Sequence, residues 1–184
     1  MKKTMMVGML LCLMAFSFGI NLLNDSGFES GESSGTPNVF STSIPLYKWA
    51  ITDEVFHLSG IQHSGSWSIG INKLSGTGSN KGFEQIVPFN PGNYTRMRFS
   101  IWNYLWDCNS SKNAAYVRFL NSSKGVIKFY STSFDPKKWV WIQRNITGMT
   151  IPAGTAYVQV VVTTTTSMRQ IVLYDDATLE PYTP

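Results

Sequence analysis

The chain has 184 residues, enough for one domain with a real core, and 43% of them are hydrophobic against only 14% charged. Aromatic residues also reach 14%, with six Trp, a balance that suits a β-rich extracellular domain better than a cytosolic helical one. The formal net charge of +4 rests partly on Lys2 and Lys3; without them thirteen basic residues face eleven acidic ones, a net +2 that excludes a nucleic-acid binder built on a concentrated basic face.

The N-terminus reads as a leader. In "MKKTMMVGMLLCLMAFSFG" two lysines precede an apolar run, and Ser17 and Gly19 occupy the −3 and −1 places for cleavage after Gly19. The run is short for a membrane span, which needs about 20 apolar residues. Leu11 before Cys12 does not match a lipoprotein signal. Residues 1–19 are therefore expected to be a signal peptide, residues 20–184 one domain, and the product secreted or at the cell surface, free of the membrane after cleavage.

Along the mature chain the hydrophobic period is two, the mark of half-buried strands. "SWSIGINKL" alternates around Ile69 and Ile71. "TRMRFSIW" sets Met97, Phe99 and Ile101 against Arg96, Arg98 and Ser100. "AAYVRFL" puts Val117 and Phe119 on one face, Tyr116 and Arg118 on the other. "VIKFY" and "KWVWIQ" follow. "AYVQVVVTT" sets Val158, Val160 and Val162 against Tyr157, Gln159 and Val161, and "IVLYDDATLE" closes the series. Breakers such as "SGTGSNKG", "NPGN", "NSSKG", "FDPKK" and "IPAGT" lie between them. Short strands with frequent turns predict an all-β sandwich.

In the last segment Asp175 and Asp176 stand side by side. A strand sends neighbours to opposite faces, so one of them must point inward, where an unpaired carboxylate is too costly to keep. The mature chain holds one cysteine, Cys108, read as an inert thiol in a surface loop; with Cys12 removed no intramolecular disulfide can form. Catalytic patterns are absent from the sequence. Asp53–Glu54 and Glu84 supply no facing carboxylate pair of the kind glycoside hydrolysis needs, and neither a Ser-His-Asp context nor zinc spacing is found. The chain is expected not to be an enzyme.

Four stretches, in order, resemble the jelly-roll carbohydrate-binding modules attached to many xylanases and glucanases, of the family 4/9/22 type within the galactose-binding-like superfamily. "NLLNDSGFESG" is similar to the opening strand of such modules, "QHSGSWSIGI" to their His-Ser-Gly turn and the strand after it, and "VPFNPGNYTRMRFSIW" to their Pro-Gly turn and long strand. "WVWIQRNITGMTIPAGTAYVQVVV" with "IVLYDDATLE" resembles the last two strands. The resemblance implies a jelly-roll β-sandwich of two antiparallel sheets, with the first and last strands as neighbours and a structural calcium. It carries the metal to Glu29 and Asp175, with Asp176, and to backbone oxygens near Ser64 and Gly65. Asp175 shares parity with Ala177 and Leu179 and is the expected inward acid. Without the metal, the Asp pair would cap turns or meet Arg169 or Lys48.

If the alternating apolar residues fill the core, their neighbours face outward: Tyr94, Arg96, Arg98, Trp102, Tyr116, Arg118, Tyr157 and Gln159. Trp139, Trp141, Lys128 and Tyr130 lie nearby. Together they are expected to line one concave surface that binds a polysaccharide or other glycan. Aromatic rings pack on the C–H face of a pyranose, and Arg and Gln hydrogen-bond its hydroxyls. A second location is the expected loop "IWNYLWDCNSSKN", with Tyr104, Trp106 and Asp107. The ligand candidates are thus Arg98, Trp102, Trp106, Tyr116, Arg118, Trp141, Tyr157 and Gln159. A secreted, non-catalytic glycan binder is the leading expectation. The alternative is a structural, adhesion or appendage subunit that uses the same sandwich for self-association.

Overall fold

A computed structural model describes residues 20–29, 49–51, 55–73, 81–108, 113–134, 137–164 and 170–184. The expected leader at 1–19, and the candidate partners Lys48 and Arg169, lie outside the described residues. Ten strands follow in chain order: β1 (Ala50–Ile51), β2 (Val55–Ser59), β3 (Trp67–Lys73), β4 (Lys81–Pro88), β5 (Arg96–Cys108), β6 (Asn113–Leu120), β7 (Val126–Phe134), β8 (Ile142–Thr150), β9 (Tyr157–Thr164) and β10 (Gln170–Tyr182). Among the described residues there is no helix, and so none long and apolar enough to cross a membrane.

The strands form two five-stranded antiparallel sheets. The first has the order β1-β4-β9-β6-β7 and the second β2-β3-β10-β5-β8. After β3 the chain changes sheet at almost every connection, with β6 and β7 the sole consecutive pair that stay together, so each sheet is stitched from distant segments. This is the sandwich expected from the strand pattern, in the jelly-roll arrangement that the resemblance implies. Every apolar residue assigned to the core from alternation is buried there: Met97, Phe99, Ile101, Val117, Phe119, Val158, Val160 and Val162. Burial of such side chains is the main drive for closing the two sheets.

The opening segment departs from expectation. Residues 20–29 are not a strand but an irregular clasp across β10 and β4. Leu22 N–H donates to the Leu179 carbonyl at 2.9 Å, and Ala177 N–H to Ser26 at 2.8 Å. Asn21 donates from Nδ2 to the Ala177 carbonyl and accepts from Leu179 N–H. Gln85 is buried in β4 and holds the Asn24 backbone from both sides, accepting its N–H and donating to its carbonyl. Phe28 fills the core beside Trp49 and Phe83, with ring centroids 5.3 to 5.6 Å apart. Side-chain amides thus do the work of a strand ladder, and the two ends of the domain do lie side by side.

Two other expectations change. The stretch Tyr104–Cys108 is strand, not loop, because β5 pairs with β10 through Gln170↔Cys108, with a bulge near Trp106. "KWVWIQ" becomes a strand only from Ile142; Trp139 sits at φ 59°, and residues 137–141 form a turn tied to Leu105.

Candidate functional site

The expected ligand residues are split between the two outer faces of the sandwich. Arg98, Trp102 and Trp106 lie on β5, with Trp141 just before β8, on the second sheet. Tyr116 and Arg118 lie on β6, and Tyr157 and Gln159 on β9, on the first. One surface common to all eight does not exist. Strands adjacent in sequence, such as β5 and β6, joined opposite sheets, and local alternation carries no information about that.

On the first sheet the central strands bring four of the eight together. Arg118 is directly opposite Gln159, Tyr116 opposite Val161, and Leu120 opposite Tyr157. Arg118 Nη1 donates to Gln159 Oε1 at 3.2 Å, and Gln159 Nε2 donates to Glu84 Oε2 at 2.9 Å. This chain fixes the orientation of the amide and holds a cation and an anion in place across three strands. The Arg118 guanidinium lies 5.7 Å from the Tyr116 ring centre, and Lys124 Nζ lies 5.8 Å from that of Tyr157. Both tyrosines are half-buried, so each ring is anchored yet reachable. The row is extended by Ile86 opposite Gln159 and by Phe129 opposite Arg118, 40% and 59% exposed. Glu84, Ile86 and Phe129 are not placed in this row from the sequence. The signal existed for β4, since "KGFEQIVP" alternates Phe83, Gln85 and Val87 inward against Glu84 and Ile86 outward.

On the second sheet the aromatic residues do a different job. Phe56, Leu58, Ile171 and Leu173 are buried on its outer side, and Ile61, Tyr104, Trp106 and Trp141 pack on them. Trp106 therefore belongs to a second small core, not to a loop tip. Trp102 is covered on one face by His63, stacked at 3.8 Å and 15°, and Trp141 meets the same imidazole edge-on at 5.8 Å. Arg98 forms an ion pair with Glu180 at 2.6 Å, and Arg96 donates to Gly148 and Thr150. Trp139 is exposed, Tyr94 stands exposed in the turn before β5, and Tyr130 faces the other way, its hydroxyl accepting from Thr150 N–H across to β8.

The five residues expected at the metal converge on one turn, residues 63–67. Asp175 Oδ2 accepts from His63 N–H at 2.8 Å and Ser64 N–H at 3.1 Å, and its Oδ1 from Asp176 N–H at 2.7 Å. Both Glu29 carboxylate oxygens accept from Ser66 N–H at 3.0 Å, and Oε1 also from Trp67 N–H. Asp176 takes the Ser64 hydroxyl at 2.7 Å and His63 Nδ1 at 2.6 Å. Gly65, at φ 61°, is required by more than its backbone: a Cβ there would lie 2.1 Å from Glu29 Oε1. Asp175 is buried, but it does not point inward as expected. A bulge between Asp175 and Thr178, with Asp176 at φ 45°, breaks the parity with Ala177 and Leu179. Asp175 instead lies opposite Trp102, outside the main core, buried beneath the 63–67 turn. Burial raises its carboxyl to about 6 against the three N–H donors that favour the anion. The carboxylates suit an oxygen-seeking cation such as calcium in kind and in convergence, while among the described residues no three His, Cys, Asp or Glu side chains already form a metal-holding group.

No protein-family model matches the chain, and no curated protein does. Solved structures do. The enzymatically active domain of bacteriophage CBA120 tailspike protein 4 aligns over 89% of this chain with a TM-score of 0.65 and 13% identity; the chain spans about a fifth of that protein's length, 22%. The module TmCBM61, solved with β-1,4-galactotriose, aligns over 89% of this chain and 99% of its own, with a TM-score of 0.60 and 18% identity. The CBM22-1 xylan-binding domain from Paenibacillus barcinonensis aligns over 90% and 97%, with a TM-score of 0.53 and 13% identity. Strand order, sheet pairing and these likenesses agree on one point: the chain has the jelly-roll sandwich fold of carbohydrate-binding modules.

Proposed function

We propose that the chain is a secreted, non-catalytic domain that binds a glycan on the outer face of the first sheet, with a structural calcium as a brace. The observation that carries this reading is the Arg118–Gln159–Glu84 hydrogen-bond chain set between two anchored tyrosine rings, Tyr116 and Tyr157. A pyranose has an apolar C–H face and a rim of hydroxyls; the rings suit the first and the fixed donors and acceptors the second. Their positions are set by a regular ladder over a fully packed core, so little ordering would remain to be done on binding. Glu84 is engaged by Gln159, and among the described residues no partner carboxylate shares its row, which favours holding over hydrolysis.

The brace would be held by Glu29, Asp175 and Asp176, with Ser64 and Gly65 contributing from the turn. Bound calcium would hold Asp175 ionised and tie the 63–67 turn to both ends of the chain. A metal in that place adds its binding free energy to folding. Its role is mechanical, because the turn stands on the second sheet and the ligand residues on the first.

A glycan array probed with the purified protein tests the reading. Binding to a defined group of polysaccharides, lowered tenfold or more in Arg118→Ala and in Gln159→Ala at unchanged melting temperature, supports it. An array without signal, or variants that bind as well as the parent, would overturn it.

A further inference from the structure

The second sheet carries a groove of about 480 Å³ on its outer face, between β10, β5 and β8. Its floor is a polar grid set by register. Glu180 lies opposite Arg98, and Ser100 lies between Thr178 and Asn145. Gln143 stands opposite Trp102, one outward place further along β5. Arg98 Nε and Nη2 both donate to Glu180 Oε2 at 2.6 Å, and the Arg98 side chain still keeps 55% of its surface exposed. Ser100 Oγ and Thr178 Oγ1 are 2.7 Å apart, and Gln143 Nε2 reaches Ser100 Oγ at 3.5 Å.

We propose that this groove is a second glycan subsite, so that the domain is bivalent and bridges two polysaccharide chains; the inference rests on the reading of the first sheet given above. The floor is charge-balanced, because the guanidinium already has its carboxylate. It therefore suits neutral hydroxyls over acidic sugars: vicinal hydroxyls can accept from Arg98 and donate to Glu180 while others meet Asn145 and Ser100. The floor is also fixed in advance by its own hydrogen bonds, and no apolar side chain needs uncovering. The first-sheet row and this groove lie on the two outward sides of a sandwich whose sheets stack about 10 Å apart. A stiff chain lying on one side cannot reach the other, so two occupied sites join two chains, and linked sites raise avidity by effective concentration.

The test uses protein purified after expression of the full chain, with β-1,4-galactan and xylan on beads and galactotriose and xylohexaose in titration calorimetry. Two sites per monomer and bead agglutination are expected. In Gln143→Ala/Asn145→Ala, both on exposed positions of the edge strand β8, one site should remain and the agglutination threshold should rise at least tenfold. Tyr157→Ala should also leave one site and stop agglutination. One site per parent monomer, or agglutination unchanged in the β8 variant as a dimer of single-site domains would give, overturns bivalence and leaves the first-sheet reading standing. Binding lost in the β8 variant but intact in Tyr157→Ala also overturns bivalence, since it keeps the groove and removes the first-sheet site. Failure of both probes to bind the parent sinks both.

Discussion

The two outer faces of this sandwich began from the same pattern, an outward aromatic or arginine at every second place, and they ended differently. On the first sheet the outward residues Tyr116, Arg118 and Tyr157 remain reachable over a single core. On the second, Tyr104, Trp106 and Trp141 are drawn into a further layer with Phe56, Leu58, Ile171 and Leu173, and Trp102 is stacked beneath His63 of the neighbouring turn. Gly70 shows how close that layer is: a Cβ there would lie 2.2 Å from the Phe56 ring. An outward aromatic is thus a ligand candidate only where nothing else in the chain has use for it. One face is organised for contact and the other, along most of its length, for stability.

That contrast can be broken by substitution. The largest effect is expected for Leu173→Ala, which empties a fully buried position beneath the second face and should cost about 2–5 kcal/mol in urea unfolding. A loss under 1 kcal/mol would mean that the layer is not a true core. Next comes calcium. At a hundredfold excess over its dissociation constant it should add about 2.7 kcal/mol, seen as a lower melting temperature in chelator. An unchanged melt removes the metal from the account. The pH dependence has a defined sign. The Asp175 carboxyl is raised to about 6 in the fold, so the metal-free protein takes up a proton there that the unfolded chain would not, and is relieved on acidification. Calcium requires the anion, so its stabilising effect should shrink as pH falls from 7 to 5; a constant effect would exclude Asp175 as a ligand.

Smaller again is His63→Ala, which removes the stack on Trp102 and the bond to Asp176. A loss of about 1 kcal/mol is expected with glycan binding unchanged. The smallest effect is that of His57, buried against Trp67 with its ring bonded to the Phe28 carbonyl. Burial lowers its pKa from 6.5, so the fold resists its protonation and this contribution is lost as pH falls below that value. His57→Gln, in calcium, should flatten stability between pH 7 and 5; a parallel profile would contradict it.

Much of the fold could be read from the sequence because burial follows period two. The alternation of β5, β6 and β9 named eight core residues, all of them buried. Sheet membership could not be read, since pairing depends on partners tens of residues away, and the expected single binding surface failed on that point. β4 is not named from the sequence between its breaker-rich flanks, and without it Glu84 is weighed only as a catalytic acid and Ile86 not at all. The expected inward direction of Asp175 fails because a bulge cancels its parity with Ala177 and Leu179; it is buried instead under a turn on the outer side. The residues expected at the metal can be named together from the sequence because a turn and two end segments, each weak alone, follow one another in the order of the resemblance. What sequence did not show is that each carboxylate there is already met by N–H or O–H donors of the turn or its own strand.

The central claim is that the first face carries a glycan site and that the aromatic layer of the second face serves stability, not binding. It is tested most directly by measuring binding and melting side by side for Tyr157→Ala and Trp102→Ala. The account predicts that Tyr157→Ala loses at least tenfold in affinity at the first-face site and melts within about 1 °C of the parent, a shift corresponding to a few tenths of a kcal/mol at most. Trp102→Ala should bind as the parent does on the first face and melt several degrees lower. Binding lost in Trp102→Ala and kept in Tyr157→Ala would contradict it.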